Sequence, residues 1–271
     1  MPIRDLLRAE LGIEDAQPVS GGCIHRCYRV RIGGKARFLK LNAARFADAF
    51  AAEADGLEAL RSAGAAAPQP QAHGVCGDQA FLLLELLELR GGGDFAALGR
   101  MLAGAHRGGG ARFGWRRDNY IGTTPQPNGW RDSWAQFWLE QRMQPQLDLA
   151  KRNGFALAVP EMKLLENHHP QPSLLHGDLW SGNAGFTSAG PVLFDPAVYY
   201  GDREADLAMT ELFGGFPREF YESYDSVWPL EAGYERRKHL YNLYHLLNHL
   251  NLFGSAYLGQ VNAALRLLLG S

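Results

Sequence analysis

Cysteine is scarce in this chain of 271 residues, which contains only Cys23, Cys27 and Cys76. An odd and small number of cysteines does not suit the disulfide scaffold of a small secreted domain. The opening segment, MPIRDLLRAELG, predicts an amphipathic helix and lacks the apolar run of a signal peptide. We therefore expect a soluble protein of a reducing compartment, most simply the cytoplasm.

Long apolar runs and a large net charge are also missing. The densest apolar stretch, AFLLLELLELR, contains Glu85 and Glu88 and is too short to cross a bilayer. The net charge of −2 gives no bulk electrostatic attraction to nucleic acid or to an anionic membrane. The chain has 46% hydrophobic and 21% charged residues, which is ordinary for a globular protein. We expect neither nucleic acid nor a membrane among its partners.

The first third of the chain has the pattern of a small β-rich lobe. Predicted strands cover three segments: 24–32, 36–41 and 79–87. An earlier strand leads through Val19 into a pair of glycines, and Gly33 and Gly34 are typical of a hairpin turn. Residues 45–63 predict a helix, and residues 63–74, which contain two prolines, predict a linker.

The remainder of the chain is predicted to be mostly helical. Helical patterns cover three segments: 95–106, 133–153 and 234–269. Asp94 stands where it can cap the first of these helices. We therefore predict an α+β fold with a small antiparallel-sheet lobe over residues 1–88 and a larger, mainly helical lobe over residues 89–271.

The segment LLHGDLWSGN carries the first chemical signal. Asp178 follows His176 and Gly177, and Asn183 stands five residues later, which is the spacing of the catalytic loop of kinases. In such a loop the aspartate accepts the proton of the attacking hydroxyl and the asparagine binds a metal ion. The alternative is an aspartate that only caps a turn, helped by Gly177 and Gly182.

A second aspartate follows at the end of the next predicted strand. Asp195 stands twelve residues after Asn183, directly after residues 191–194. Kinases use an aspartate in this position to bind the magnesium ions that bridge the phosphates of ATP. Pro196 and Ala197 replace the usual Phe-Gly, which argues against switching of a kinase activation loop. The alternative is a turn formed with Pro196.

The small lobe supplies candidates for binding the phosphates. Lys40 lies on a predicted strand, and Glu53 lies thirteen residues later on the predicted helix, with Glu58 as a competing partner. Gly21 and Gly22 let a loop backbone approach the phosphates, although they do not form the G-x-G-x-x-G pattern. A solvated lysine–glutamate pair and a simple glycine turn are the alternatives. Because all pieces occur in kinase order, we favour phosphoryl transfer.

The chain also resembles the fructosamine kinases, or ketosamine 3-kinases. The resemblance covers almost the whole sequence and is most specific in DNYIGTTPQ, LLHGDLWSGN and FDPAVYYGDREADLAMTELFGGF. It implies a two-lobed protein-kinase-like fold, shared with aminoglycoside phosphotransferases and choline kinases. It also implies ATP- and magnesium-dependent phosphorylation of the 3-hydroxyl of fructosamine, ribulosamine or erythrulosamine adducts. The phosphorylated adduct decomposes and frees the amine, which amounts to protein deglycation.

Carried over by position, the resemblance implies a role for each motif residue. Asp178 is the base, and Asn183 and Asp195 bind magnesium. The phosphates are contacted by Lys40, which Glu53 orients, and are approached by the loop backbone at Gly21 and Gly22. The adenine contacts the backbone of Glu85, Leu86 and Leu87. Asp206 is expected to bind the backbone of the catalytic loop.

The acceptor pocket is less sharply indicated. Trp180 could stack on a sugar ring or be a core aromatic. Other candidates for contact with substrate are Asp118, Asn119, Tyr199 and Glu204. We also consider that oxidation of Cys23 beside the glycines inhibits ATP binding, the alternative being a small apolar filler.

Several questions stay open at the level of sequence. The substrate could be a free ketosamine or a glycated protein lysine, and the protein could be a monomer or a homodimer. Rival functions are another small-molecule kinase, of the aminoglycoside or choline kinase type, and a nucleotide-binding pseudokinase.

Overall fold

The computed structural model describes residues 3–19, 24–157 and 163–269. Helix α1 (Asp5–Leu11) precedes an antiparallel sheet whose strand order is β1-β2-β3-β5-β4. The strands are β1 (Ile13–Val19), β2 (Arg26–Ile32), β3 (Lys35–Ala43), β4 (Pro70–Cys76) and β5 (Gln79–Glu85). Helix α2 (Ala47–Ser62) connects β3 to β4.

The β2–β3 hairpin is the one that the glycine pair predicted. Gly33 and Gly34 both have positive φ, at 54° and 71°, as a type I′ turn requires. This turn pairs Ile32 with Lys35 and sets the register of both strands. Residues 63–74 are only in part the predicted linker, because their second half forms β4. Proline is tolerated there because β4 is an edge strand, where a missing N–H interrupts no ladder.

Alternation along β3 sends its side chains to two different surroundings. Leu39 and Leu41 are buried on the face that carries α1, in a small cluster with Leu7. Lys40 lies between them, so its side chain projects to the opposite face, where α2 packs. A strand with two-residue periodicity therefore delivers one lysine to the interior between the sheet and α2.

The rest of the chain is mainly helical, as predicted. Its helices are α3 (Phe95–Arg107), α4 (Trp134–Phe137), α5 (Gln144–Arg152), α6 (Glu204–Leu212), α7 (Arg218–Val227), α8 (Tyr234–Phe253) and α9 (Leu258–Leu269). Asp94 caps α3 by accepting a hydrogen bond from the backbone N–H of Ala97. A π-helical segment, Trp138–Met143, joins α4 to α5. Gly254, with φ of 81°, separates α8 from α9.

Three short hairpins or strand pairs interrupt the helices and surround the catalytic loop. They are β6 (Asn119–Ile121) with β7 (Thr124–Gln126), β8 (Ser173–Leu175) with β11 (Tyr199–Gly201), and β9 (Ala184–Thr187) with β10 (Gly190–Leu193). Each pair is antiparallel. The catalytic-loop segment therefore begins at the end of β8 and ends where β9 starts.

The main hydrophobic core extends across both parts of the chain. Leu57 of α2 and Leu82 of β5 belong to the same buried cluster as Leu98, Leu179 and Leu247. The sheet is therefore held against the helical part by apolar packing. Within the described ranges, none of the helices has the length and apolar character that crossing a membrane would require.

A buried ion pair joins α6 to α8. Arg237 donates to both carboxylate oxygens of Glu204, at 2.7 Å each, and both side chains are at most 8% exposed. We predict that Arg237→Met lowers the free energy of unfolding by about 3–5 kcal/mol, because it leaves a buried carboxylate unpaired. Urea unfolding at neutral pH measures this loss.

The matched control is Arg218→Met on α7. It breaks the Arg218–Glu222 pair, whose side chains are 88% and 58% exposed, and exposed pairs contribute only about 0–1 kcal/mol. An equally small loss in both variants would show that the Arg237–Glu204 pair does not hold α6 and α8 together.

Candidate active site

A buried lysine joins three separate segments at the centre of the site. The Nζ of Lys40 on β3 donates to Glu53 Oε1 on α2 at 2.7 Å and to Asp195 Oδ1 at 2.5 Å. The lysine side chain is 5% exposed and that of Glu53 12%, whereas that of Asp195 is 50% exposed. Glu53 is therefore an interior partner, whereas the Asp195 side chain is half open to solvent.

The turn that carries Asp195 has an unusual backbone. Asp195 has φ of 56°, the one positive value for a non-glycine residue in the described part of the chain. Aspartate tolerates this left-handed conformation better than most side chains do. The turn follows β10 directly, and Phe194 donates its N–H to the carbonyl of Asn183 at 3.0 Å. This hydrogen bond ties the residue before Asp195 to Asn183, the last residue of the catalytic loop, and so fixes the position of Asp195 beside that loop.

One ammonium group is shared between two carboxylates. Desolvation alone would lower the pKa of Lys40, but Asp195 and Glu53 outweigh it and raise that pKa, so the lysine stays charged. Desolvation would raise the pKa of Asp195, but the Lys40 ammonium outweighs it and lowers that pKa. Burial, with repulsion from Asp195, raises the pKa of Glu53 to about 7 despite the attraction of Lys40. A cation bound beside Asp195 would offset this repulsion between the two carboxyl groups.

Asp178 and Asn183 are held together by the turn between β8 and β9. Asn183 Nδ2 donates to the Asp178 carbonyl at 2.8 Å and to its Oδ2 at 3.2 Å. A short 3₁₀ turn, Ser181–Asn183, brings the two residues into this contact. The amide thereby orients the aspartate, and the rest of its carboxylate remains for a substrate hydroxyl.

The carboxylate of Asp206 holds the backbone of the catalytic loop, as the sequence predicted. It accepts the N–H of His176 at 2.7 Å and that of Gly177 at 2.8 Å. His106 of α3 contacts the same carboxylate at 3.1 Å, and its other ring nitrogen contacts Tyr224 at 2.8 Å. The residues of this network are buried, including Asp206, His106, Tyr224 and His176. Asp206 is therefore a positioning residue that gives the loop a fixed shape.

His176 links the catalytic loop to the turn of Asp195, a role that sequence spacing did not reveal. Its Nδ1 accepts the N–H of Asp178 at 3.2 Å, which leaves the proton on Nε2 to be donated to the Phe194 carbonyl at 3.0 Å. Burial lowers the pKa of His176, in keeping with a neutral ring. The only sequence signal for this role is the position of the histidine two residues before the aspartate.

Gly177 is required by a close approach of two chain segments. Its φ is 82°, and a Cβ at this position would lie 2.1 Å from the carbonyl oxygen of Ala197. The Ala197 N–H in turn donates to the His176 carbonyl at 2.8 Å. Only glycine allows the loop and the segment after Asp195 to pack this closely.

Asp178 has the electrostatic properties of a base that works near neutral pH. Burial raises its pKa to about 7, repulsion from Asp195 adds to this effect, and the hydrogen bond from Asn183 opposes it. A general base is most effective when its pKa lies near the working pH.

His25 is a second residue whose position sequence reasoning missed. Asn42 Nδ2 contacts its Nδ1 at 2.9 Å, and its ring centroid lies 4.8 Å from that of Phe50 on α2. Burial, and then the charge of Lys40, lowers its pKa to about 4, so the ring is neutral. His25 is next to the predicted phosphate loop, but nothing in its sequence spacing distinguishes it from other strand residues.

The segment predicted to meet the adenine lies at the end of β5. Glu85 is the last residue of that strand, and its N–H donates to the Gln69 carbonyl at 2.9 Å. Leu86 and Leu87 follow without regular structure and are half-buried. This segment leads toward Arg90, which pairs with Phe186 of β9. Gly21, Gly22 and Cys23 lie outside the described residues.

Of the residues predicted to contact substrate, two are exposed and three are buried. Trp180 is 38% exposed, so it is not the core aromatic that was the alternative. Asp118 is exposed and accepts the Asn128 N–H at 2.8 Å, which is the contact of a residue that fixes a loop.

Three other substrate candidates are corrected, because they are buried and already engaged. Asn119 donates to the Val198 carbonyl at 2.8 Å, and the Tyr199 ring lies 3.9 Å below the Arg142 guanidinium. Glu204 is paired with Arg237 as described above. They are 4%, 2% and 1% exposed, respectively. These side chains are engaged in the interior, where they pack and hydrogen-bond with neighbouring segments.

The donor set suits a magnesium–nucleotide complex. Among the described residues, no hydrogen bond reaches Asn183 Oδ1 or Asp195 Oδ2. The two residues flank the β9–β10 hairpin, where the hydrogen bond from the Phe194 N–H to the Asn183 carbonyl joins its two ends. Magnesium prefers such hard oxygen ligands. Lys40 supplies the fixed positive charge that phosphates need. The residues present therefore fit both groups.

The pKa of Asp178 predicts a pH-dependent change in stability of the metal- and nucleotide-free protein. Between about pH 4 and pH 7 the folded protein retains a proton on Asp178 that the unfolded chain has released, so stability falls as pH rises. Asp178→Asn removes this loss. We expect its advantage over wild type to grow by about 1–3 kcal/mol between pH 5 and pH 8, as measured by urea unfolding.

Asp195→Asn is the matched control, with the opposite sign. Its carboxylate has a lowered pKa, so removing it should destabilise the protein at neutral pH, and this cost should fade as pH falls. An advantage of Asp178→Asn that stays constant with pH would contradict the elevated pKa of Asp178.

The comparisons with known proteins agree with this geometry. The sequence profile described as fructosamine kinase matches residues 2–271. The probable ketoamine kinase of Synechocystis sp. is 50% identical over 265 residues, covering 94% of this chain and 90% of that protein. A probable ketoamine kinase of Vibrio parahaemolyticus is 44% identical, covering 95% and 93% of the two chains.

Solved structures support the same fold. The crystal structure of a protein assigned as a fructosamine-3-kinase from Haemophilus somnus has a TM-score of 0.87 at 30% identity, covering 97% of this chain and 95% of that one. The aminoglycoside phosphotransferase APH(4)-Ia, in a complex with ADP and hygromycin B, has a TM-score of 0.65 at 14% identity, with 98% coverage of both chains. The second likeness shows the protein-kinase-like fold alone. With a profile match over almost its whole length and close relatives of the same kind, the chain belongs to the fructosamine kinase family and is an ATP-dependent kinase.

Proposed function

We propose that the protein transfers the γ-phosphoryl group of ATP to the 3-hydroxyl of a ketoamine, such as a fructosamine, ribulosamine or erythrulosamine adduct. The observation that carries this proposal is the convergence of Lys40, Glu53 and Asp195 beside the Asp178–Asn183 pair. The choice of a ketoamine acceptor is supported by relatives that are named ketoamine kinases. Both free ketosamines and glycated protein lysines carry the required group.

Asp178 acts on the acceptor. Its carboxylate accepts the proton of the attacking hydroxyl, and its pKa of about 7 makes it a competent base at neutral pH. Asn183 keeps the carboxylate in place through Nδ2, and the backbone of the loop is held by Asp206. Phosphoryl transfer depends on positioning and on charge, so this rigidity contributes directly to the rate.

Lys40, Asn183 and Asp195 act on the donor. Magnesium, when bound, would supply positive charge that offsets the charge developing on the phosphates. Asn183 and Asp195 would hold it through the oxygens that make no hydrogen bond to the described residues. Lys40 contacts the phosphates, and Glu53 keeps its ammonium oriented and charged. Gly21 and Gly22 would let the loop backbone approach the same groups.

The two predicted lobes, residues 1–88 and 89–271, would enclose the nucleotide between them. The adenine would meet the backbone of residues 85–87, after the end of β5. The exposed indole of Trp180, within the catalytic loop, offers an apolar face for the sugar of the acceptor. Decomposition of the phosphorylated adduct would free the amine, and the protein would then act in deglycation in the cytoplasm.

A panel of acceptors tests the proposed substrate. We expect the purified protein, with ATP and magnesium, to turn over ribuloselysine and fructoselysine but neither kanamycin nor choline. Asp178→Ala should lower kcat by about 10²–10⁴-fold, because the general base is lost. ATP consumption measures both effects, and Asp148→Ala, which removes an exposed aspartate of α5, is the control that should retain wild-type rates.

Other outcomes of the panel would point elsewhere. Turnover of kanamycin or choline alone would leave a kinase with a different acceptor. Binding of ATP without turnover of any acceptor would indicate a pseudokinase.

Removal of magnesium tests the proposed ligands. We expect chelation to abolish turnover, and Asn183→Ala or Asp195→Ala to lower kcat by at least about 100-fold while raising the magnesium concentration needed for half-maximal rate. Lys40→Ala should act mainly through the KM for ATP. A titration of rate against magnesium separates these cases, and unchanged magnesium dependence in both ligand variants would contradict the assignment.

A further inference from the structure

A row of aromatic side chains leads away from the catalytic loop toward the carboxyl-terminal helices. We refer to it as the aromatic ledge, and its members are Trp180, Phe213, His249, Phe253 and Tyr257. The centroid distances are 6.4 Å from Trp180 to Phe213 and 4.8 Å from Phe213 to His249. His249 in turn lies 5.6 Å from Phe253 and 5.0 Å from Tyr257. The rings therefore form one continuous surface drawn from four parts of the chain.

The ledge is partly open to solvent. Trp180 is 38% exposed and Phe253 is 55% exposed, while the other three members are half-buried. Large aromatic side chains contribute most when they are buried, and a contiguous exposed group of them typically marks a binding surface. Phe253 is the most exposed member, and its position at the end of α8 gives it contacts with His249 and Tyr257.

The first ring of the ledge is held in place by close packing. A Cβ at Gly182 would lie 2.3 Å from the Trp180 indole, so the indole covers this glycine directly. Trp180 stands two residues after Asp178, and Gly182 one residue before Asn183. The turn that orients the catalytic aspartate thus also orients the start of the ledge.

The ledge presents neutral aromatic faces. His249 Nδ1 donates to the carbonyl of His245 one turn earlier at 2.8 Å, and burial lowers the pKa of His249. A neutral histidine adds a ring without adding a positive charge. Such a surface attracts a cation that carries apolar groups, because aromatic rings have a negative face.

We propose that the aromatic ledge binds the amine substituent of the ketoamine acceptor and makes the enzyme selective for large apolar or aromatic substituents. This inference rests on the proposed function. A ketoamine joins its sugar to a secondary amine that is protonated at neutral pH, and the substituent extends from that amine away from the sugar. With the reacting hydroxyl at Asp178, the ledge is the adjoining surface that begins within the catalytic loop.

Two adducts of one sugar, which differ only in the amine, test the proposal. For wild type we expect the ribulose adduct of benzylamine to have a KM about 10-fold below that of the methylamine adduct, because the benzyl ring can bury apolar surface against the ledge and a methyl group cannot. Phe253→Ala should raise the KM of the benzylamine adduct about 10-fold, with kcat unchanged and the methylamine adduct affected less than threefold. Phe253→Tyr, which keeps the ring, should restore the low KM.

Leu6→Ala is the control for loss of an exposed apolar side chain. Leu6 is 63% exposed on α1, and its removal should change neither KM. Equal KM values for the two adducts in wild type, or equal losses for both in Phe253→Ala, would overturn the proposal. A change of oligomeric state in Phe253→Ala, without a selective change in KM, would make the ledge a contact between copies of the chain and would also overturn it.

Binding measured without ATP separates failure of the ledge from failure of the proposed function. In calorimetric titrations of the nucleotide-free protein, the difference in Kd between the two adducts reports the contribution of the ledge, because the sugar contacts are common to both. Preferential binding of the benzylamine adduct, weakened by Phe253→Ala, would support the ledge even if no adduct were phosphorylated. Phosphorylation of both adducts with equal binding would support the kinase and overturn the ledge, and absence of binding and turnover would overturn both.

Discussion

The hydrogen bonds of one buried ammonium group organise this active site. Lys40 binds carboxylates from α2 and from the turn after β10, so the sheet, the helix and the helical part of the chain meet at a single charge. A buried charge is stable only when it is paired, and this lysine has two partners. The repulsion between Glu53 and Asp195 in turn favours a cation beside them.

The catalytic loop obtains its rigidity from a second, buried layer. Asp206 and His106 hold the backbone on one side, and His176 ties Asp178 to the turn of Asp195 on the other. This layer leaves the Asp178 carboxylate largely desolvated yet near a like charge, which raises its pKa to about 7. The same packing that makes the aspartate a useful base lowers the stability of the protein as pH rises from about 4 to about 7.

Residues that were equally plausible substrate contacts in the sequence differ in how deeply the folded protein buries them. Trp180 and Glu204 were both candidates for contact with substrate, but one is exposed beside Asp178 and the other is paired with Arg237 in the interior. Asn119 and Tyr199 were also plausible, since polar and aromatic groups serve pockets and cores equally well. Likewise, the prolines near β4 predicted a linker, because a sequence does not reveal which strand will lie at the edge of a sheet.

The order and spacing of motifs were enough to predict the fold class and the kinase chemistry. They also made Glu53 a candidate partner of Lys40. These features depend on local periodicity and on short segments, so they can be predicted without coordinates. Tertiary structure decided which carboxylates share the ammonium, which aromatic rings face solvent and how His176 connects two aspartates. Such properties arise from contacts between distant segments, and desolvation, which sets the pKa values, exists only after those segments have packed.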